Sequence, residues 1–281
     1  AQETVFRVDT RLVRLLVTVK DATGNLVGSL SPTNFTVKDN NVAQEISVFE
    51  RQTAQPLSVV LLVDISASTA KDIKYETTSI SKFLQMLVGE GNPDDAAALY
   101  AFNYQVTLMN SFTRRVMRIE DSLKNLKPEA GTAFYDAVYL SSRELRDRDG
   151  RHVIIAVTDG GDTASGKKFA DAEAAAHRAD AVFYSIVVVP ITNPAGRNLG
   201  GEHALETLAT NTGGRIFHPT IGAELERTFA EILRDLRTQY LVGYYPKGVP
   251  SGDGTFHRVL VSIPDRKDLR ISTRTGYYSD R

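Results

Sequence analysis

The sequence predicts an α/β fold: a doubly wound, mostly parallel sheet inserted into a small β-domain that both chain ends build. Three observations predict it. The middle of the chain alternates short, continuous apolar runs with segments of helical period, as parallel strands covered on both faces require. The two ends instead carry period-two alternation and turn residues. Each end also offers too little sheet to bury a face by itself, so the two are expected to pair. The boundaries follow as 1–54 and 239–281 for the β-domain and 55–238 for the inserted domain.

The elements are read in order. Val13, Leu15, Val17 and Val19 alternate with Arg14, Thr18 and Lys20, a half-buried strand that ends at the turn Asp21–Asn25. Two short strands are expected near Asn34–Lys38 and Glu45–Glu50, separated by Asp39-Asn40-Asn41. Leu57–Val63 is apolar apart from Ser58 and begins the inserted domain. Ile73, Ile80, Phe83, Leu84, Leu87 and Val88 recur at helical spacing, then Ala96–Phe102 is a second buried strand with Val106–Met109 as its partner. Helices are expected at Arg115–Leu126, Phe134–Leu145 and Phe169–Ala179, and strands at Val153–Val157 and Val182–Val189. A short helix from Ala204 to Ala209 and a strand at Arg215–Phe217 precede a last helix marked by Leu225, Phe229, Ile232, Leu233 and Leu236. Strands return at Tyr240–Tyr245, Arg258–Ile263 and Arg270–Thr275, and Gly252-Asp253-Gly254 supplies a turn.

Composition removes several functions. The 33 basic and 34 acidic residues balance to a net charge of −1, without the basic excess that a nucleic-acid footprint needs. The apolar runs, such as Val59–Val63 and Ile186–Val189, fall far short of the ~20 residues of a membrane helix. Cysteine is absent, and with it disulfides, thiolate metal sites and thiol nucleophiles. Ala1-Gln2-Glu3 reads either as the terminus left by signal-peptide cleavage or as a boundary cut.

The sharpest local feature is Asp64-Ile65-Ser66-Ala67-Ser68, directly after the first buried strand and before a helix. In an open α/β sheet this is the carboxyl edge, where ligands bind. Alternate Asp, Ser and Ser oxygens suit a hard cation such as Mg2+; the same residues also suit a helix cap. Ala130-Gly131-Thr132 and Val157-Thr158-Asp159-Gly160 leave the same edge, with a hydroxyl and a carboxylate. Together, in this order, the three stretches resemble the von Willebrand factor A domain over residues 55–238.

The resemblance implies that Asp64, Ser66, Ser68, Thr132 and Asp159 form a metal-ion-dependent adhesion site. It implies one divalent cation, with Mg2+ first and Mn2+ or Ca2+ as substitutes, and a protein partner that gives an Asp or Glu to the ion. Ala130 stands where the family usually has a second glycine. Asp136, one turn past Thr132, and Asp162 are candidates for a supporting shell around the ligands. Thr69, Phe134 and Asp162 are expected to shape specificity. Leu236–Pro246, Arg274–Tyr278, Asn34–Asp39 and Gln44–Phe49 resemble the von Willebrand factor A-related family of acidobacteria, whose export signals imply a periplasmic or extracellular place.

Rival readings are weaker. A Mg2+-dependent hydrolase or phosphatase using the same edge wants a further acidic group for proton transfer, and the position two residues after Asp64 is Ser66. Gly161–Lys167 matches the first seven positions of a phosphate-binding loop, but Lys168 stands where the loop needs Ser or Thr. The five histidines, at 152, 177, 203, 218 and 257, have no metal-ligand spacing. The pairs Tyr244-Tyr245 and Tyr277-Tyr278 read as β-domain packing.

Overall fold

The structure is a computed structural model that describes residues 12–51, 55–67, 73–158, 161–187, 199–220, 222–250 and 252–279. The first part contributes β1 (Val13–Lys20), a 3-10 turn at Pro32–Asn34, β2 (Thr36–Asp39), β3 (Val42–Gln44) and β4 (Val48–Arg51). The middle contributes β5 (Leu57–Asp64), α1 (Ile73–Glu90), β6 (Ala96–Phe102), β7 (Val106–Thr113), α2 (Val116–Leu123), α3 (Phe134–Leu145) and β8 (Arg151–Thr158). It continues with α4 (Phe169–Arg178), β9 (Ala181–Val187), α5 (Leu199–Thr212), β10 (Ile216–Phe217) and α6 (Ala223–Thr238). The last part contributes β11 (Tyr240–Tyr244), β12 (Phe256–Ser262), β13 (Arg270–Ser272) and β14 (Gly276–Tyr278).

The middle strands form one sheet in the order β10-β9-β8-β5-β6-β7, parallel except for the β6–β7 pair. Every residue of β5 is buried, because helices cover both faces. Alternate residues feed two cores: Val59, Leu61 and Val63 meet Phe83 of α1 and Phe229 of α6, while Val60 and Leu62 meet Phe134, Ala172 and Leu205 on the other face. Burying each such side chain contributes about 1.5–3 kcal/mol, so these runs fix the sheet's place at the centre. The Phe83 and Phe229 rings stand 5.1 Å apart and join α1 to α6.

Strands from both ends share two further four-stranded sheets, β13-β1-β11-β4 and β14-β12-β2-β3. Leu15 pairs with Val242, and Val37 pairs with Val261. A third core of Val13, Leu15, Val17, Phe35, Val37, Tyr240, Val242 and Val261 lies between the sheets. The expected strand near Glu45–Glu50 is β4, shifted to Val48–Arg51, and the reading missed β3 just before it. Residues 42–51 hold two short strands, and these lie in different sheets. The cause is the tight β2–β3 hairpin, in which Asn40 and Asn41 both take positive φ (45° and 67°), as Asn does in such turns. α5 starts at Leu199 instead of Ala204, hidden by two glycines in its first turn.

The β-domain docks at the amino edge of the large sheet. Within the central domain, Arg151 at the start of β8 donates to the carbonyls of Leu236 and Gln55 and ties α6 to that edge. Arg274 donates to Asp180 and to the Arg14 carbonyl, and the Thr275 N–H reaches the Asn211 carbonyl at 2.8 Å. Lys20 of β1 meets Asp235 of α6 at 2.9 Å. Among the described residues, the carboxyl edge therefore stays clear of the β-domain. Because each small sheet mixes strands from both ends, residues 1–54 alone are expected to remain unfolded, while 55–238 alone is expected to be soluble and cooperatively folded. Circular dichroism and a thermal melt of the two fragments check this; a folded 1–54 fragment would contradict it. No helix among the described residues is long and apolar enough to cross a membrane.

Candidate metal centre at the carboxyl edge

β5 is the strand at which the winding reverses, with β6 on one side and β8 on the other. At such a switch point the loops part beyond the strand ends and leave a crevice. Asp64 ends β5, and Thr158 ends the neighbouring β8, one register step past the Val63–Val157 pair. Thr158 Oγ1 donates to Asp64 Oδ2 at 2.7 Å, and the Ser66 N–H donates to Asp64 Oδ1 at 2.8 Å. Asp64 is fully buried, and Ser66 and Thr132 are nearly so. These donors hold the carboxylate in one orientation.

Four loops are bound together around it through the backbone. The Ile65 N–H donates to the Phe102 carbonyl at 2.9 Å, and the Glu129 N–H donates to the Ile65 carbonyl at 3.1 Å. The Ala133 N–H reaches the Asn103 carbonyl at 2.6 Å. The Thr132 carbonyl accepts from the N–H of Thr163 at 2.8 Å and of Ala164 at 3.1 Å, while its own N–H donates to Thr163 Oγ1 at 3.0 Å. Gly131 makes this approach possible. Its φ of +90° suits glycine, and a Cβ there would lie 2.8 Å from Tyr104 Cβ.

Asp64, Ser66 and Thr132 thus come to one edge, whereas Ser68, Thr69 and Asp159 lie outside the described residues. Asp162 Oδ1 accepts the Tyr135 N–H at 3.1 Å and the Ser165 hydroxyl at 2.6 Å, so it caps the first turn of α3 from the neighbouring loop. Asp136 accepts the N–H groups of Gly166 at 2.9 Å and Lys167 at 2.8 Å and fixes that loop against α3. Phe134 does not face a partner: it is buried among Phe102, Tyr135 and Phe183, because the first turn of α3 points it into the core.

Two residues of this edge escape sequence reading. Thr158 carries no motif role of its own, and only the β5–β8 register brings its hydroxyl to Asp64. Tyr104 is half exposed, at 50%, in the β6–β7 turn beside Gly131. Its one available sign is a turn directly after a buried strand, which in this fold lies at the carboxyl edge.

The resemblance of Gly161–Lys167 to a phosphate loop ends here. A phosphate loop presents free backbone N–H groups. In this loop the Asp136 carboxylate already accepts those of Gly166 and Lys167, and the Lys167 ammonium sits 4.6 Å from the centre of the Tyr139 ring.

Among the described residues, no three His, Asp or Glu side chains are placed together for a metal ion. The edge offers a different donor set, one carboxylate with hydroxyls, and the second candidate carboxylate, Asp159, lies beyond those residues. All-oxygen donors of this kind fit a hard divalent cation and not a soft one. A doubly wound sheet with oxygen donors gathered at its switch point defines a class of α/β ligand-binding module. The sequence model of the von Willebrand factor type A domain family matches residues 59–161, and the central domain has the von Willebrand factor A fold.

Solved structures share the fold. BatB from Bacteroides thetaiotaomicron is 17% identical, with a TM-score of 0.52 over 64% of this chain and 98% of that one. The vWF domain of the type V pili tip protein Mfa5 from Porphyromonas gingivalis is 13% identical, with a TM-score of 0.51 over 72% and 99%. An aerotolerance-related membrane protein from Bacteroides fragilis, in a form with multiple mutations to serine, is 17% identical, with a TM-score of 0.50 over 64% and 98%. No curated protein matches the chain.

Proposed function

We propose that this chain is a non-catalytic, metal-ion-dependent interaction module that works in the periplasm or outside the cell. In this reading Asp64, Ser66, Ser68, Thr132 and Asp159 hold one divalent cation, Mg2+ before Mn2+ or Ca2+, and a protein partner completes its shell with an Asp or Glu. The carrying observation is the buried, doubly hydrogen-bonded Asp64 beside Ser66 and Thr132 at the switch point of the sheet. When bound, a hard cation with few anionic ligands attracts a further carboxylate. The protein's part is orientation: Thr158 and the Ser66 N–H aim Asp64, and Gly131 lets the Thr132 loop close against Tyr104. Tyr104 offers a rigid aromatic surface at the rim of that edge, where the partner's flanking residues rest.

Two further observations support the reading. His152, His177 and His257 are buried at the amino edge or in the β-domain, away from this crevice, so none of the three serves there as a base. The shared fold of a pilus tip domain agrees with a place outside the cytoplasm. A peptide-display selection against the protein in Mg2+ is the test. Selected peptides are expected to share an Asp or Glu, to release in EDTA and to weaken about tenfold or more on conversion of that residue to Asn or Gln. No turnover of phosphate esters or nucleotides is expected with Mg2+. Binding that persists in EDTA would overturn the reading.

A further inference from the structure

A second site lies at the opposite end of the large sheet, where the β-domain docks. A cavity of about 30 Å3, room for one or two water-sized atoms, is lined by Arg14 of β1, Arg151 and His152 of β8, His177 of α4, Asp180 just after it, and Arg274 before β14. Three of these side chains are more than nine-tenths buried and carry a nitrogen that has no hydrogen-bond partner among the described residues: Arg151 Nε, His177 Nδ1 and Arg274 Nε. A buried donor without an acceptor is costly, the more so when charged, so the two guanidinium N–H groups call for an acceptor inside the cavity.

The charge around the cavity selects that acceptor. Arg14, Arg151 and Arg274 line it, and Arg237 acts on Arg151 from behind. Against them stand Asp180, which Arg274 and Arg14 share, and Asp95, whose carboxylate is held by the N–H groups of Leu57 and Asn92. Four cations face two anions. Burial, aided by Arg274, pulls the His177 imidazole down to about 4, so the ring is neutral near pH 7 and adds no charge to the cavity. His152 turns both ring nitrogens to the carbonyls of Ala179 and Arg148 and adds no acceptor to the cavity.

We infer that the cavity binds one small inorganic anion of chloride size, which bridges the von Willebrand factor A domain and the β-domain. The ion would accept from Arg151 and Arg274, one from each side of the junction, and balance the excess positive charge there. The site is independent of the metal edge.

Bromide is the probe. Crystals of the full chain grown in sodium bromide are expected to show an anomalous peak between Arg151 and Arg274. In solution at constant ionic strength, replacing gluconate with chloride is expected to raise the melting temperature. Arg14→Gln removes a partly exposed charge beside the cavity without emptying its wall, and is expected to raise the chloride concentration for half the effect by about tenfold. A cavity that holds only water in bromide, with anomalous peaks confined to the outer surface, would overturn the inference. So would equal melting temperatures in chloride and gluconate.

Discussion

Added Mg2+ or Mn2+ is expected to raise the melting temperature of the wild-type protein and to leave Asp64→Ala unmoved. An ion at a hundred times its Kd stabilises the folded state by about 2.7 kcal/mol, if it binds only that state. For a chain of this size that is a shift of roughly 5–10 °C. Asp64 is the residue to remove because both its oxygens are already aimed, by Ser66 and Thr158. Its loss also removes the buried acceptor of the Ser66 N–H and the Thr158 hydroxyl, so the variant starts about 1–3 kcal/mol less stable. Asp64→Asn keeps an acceptor at Oδ1 and most of the packing. It is expected to fold nearly as well and still to lose the metal response. Equal metal-induced shifts in wild type and both variants would place the ion elsewhere.

Asp39→Ala is expected to cost about 3–5 kcal/mol of stability, because it leaves buried polar groups without their shared partner. Asp39 is fully buried on β2. Its carboxylate accepts from Tyr277 at 2.8 Å and Tyr244 at 3.0 Å, and pairs with His257 Nδ1 at 2.9 Å. Those partners sit on β14, β11 and β12, so one carboxylate joins strands from both chain ends and from both small sheets. Burial, and after it the neighbouring phenol and Asp39, push Tyr244 far above its ordinary range. Burial, then Asp39, does the same to Tyr277. Both phenols therefore stay donors. Tyr277→Phe removes one donor and leaves Asp39 two others, and is expected to cost only about 1 kcal/mol. Urea unfolding of the three proteins gives the ranking. An Asp39→Ala loss below that of Tyr277→Phe would mean that the network does not hold the sheets together. The Mg2+ response of a folded Asp39 variant is expected to stay, since the cluster lies in the β-domain.

Much of this molecule is legible in its sequence. The apolar runs at Leu57–Val63 (broken only by Ser58), Ala96–Phe102 and Val153–Val157 are strands that only a two-sided cover explains, and they are the centre of the large sheet. The apolar spacing from Leu225 to Leu236 marks α6, where it buries one face against Phe83. Asp64 and Ser66 are readable because they stand at a strand-to-helix junction, which the alternation of elements sends to one edge, and Thr132 because a Gly-Thr step precedes a helix there. Only the tertiary structure decided the rest. It split residues 42–51 between two sheets, turned Phe134 inward, set Asp136 on the Gly166–Lys167 backbone, and brought Thr158 to Asp64 and Tyr104 to Gly131. The buried group around Asp39 joins residues more than 200 positions apart, and the arginines of the junction cavity come from three distant segments. Periodicity and turn chemistry act over a few neighbouring residues and so specify elements and their ends. Where a polar side chain finds its partner depends on strand register and domain docking, which only contacts between distant segments set.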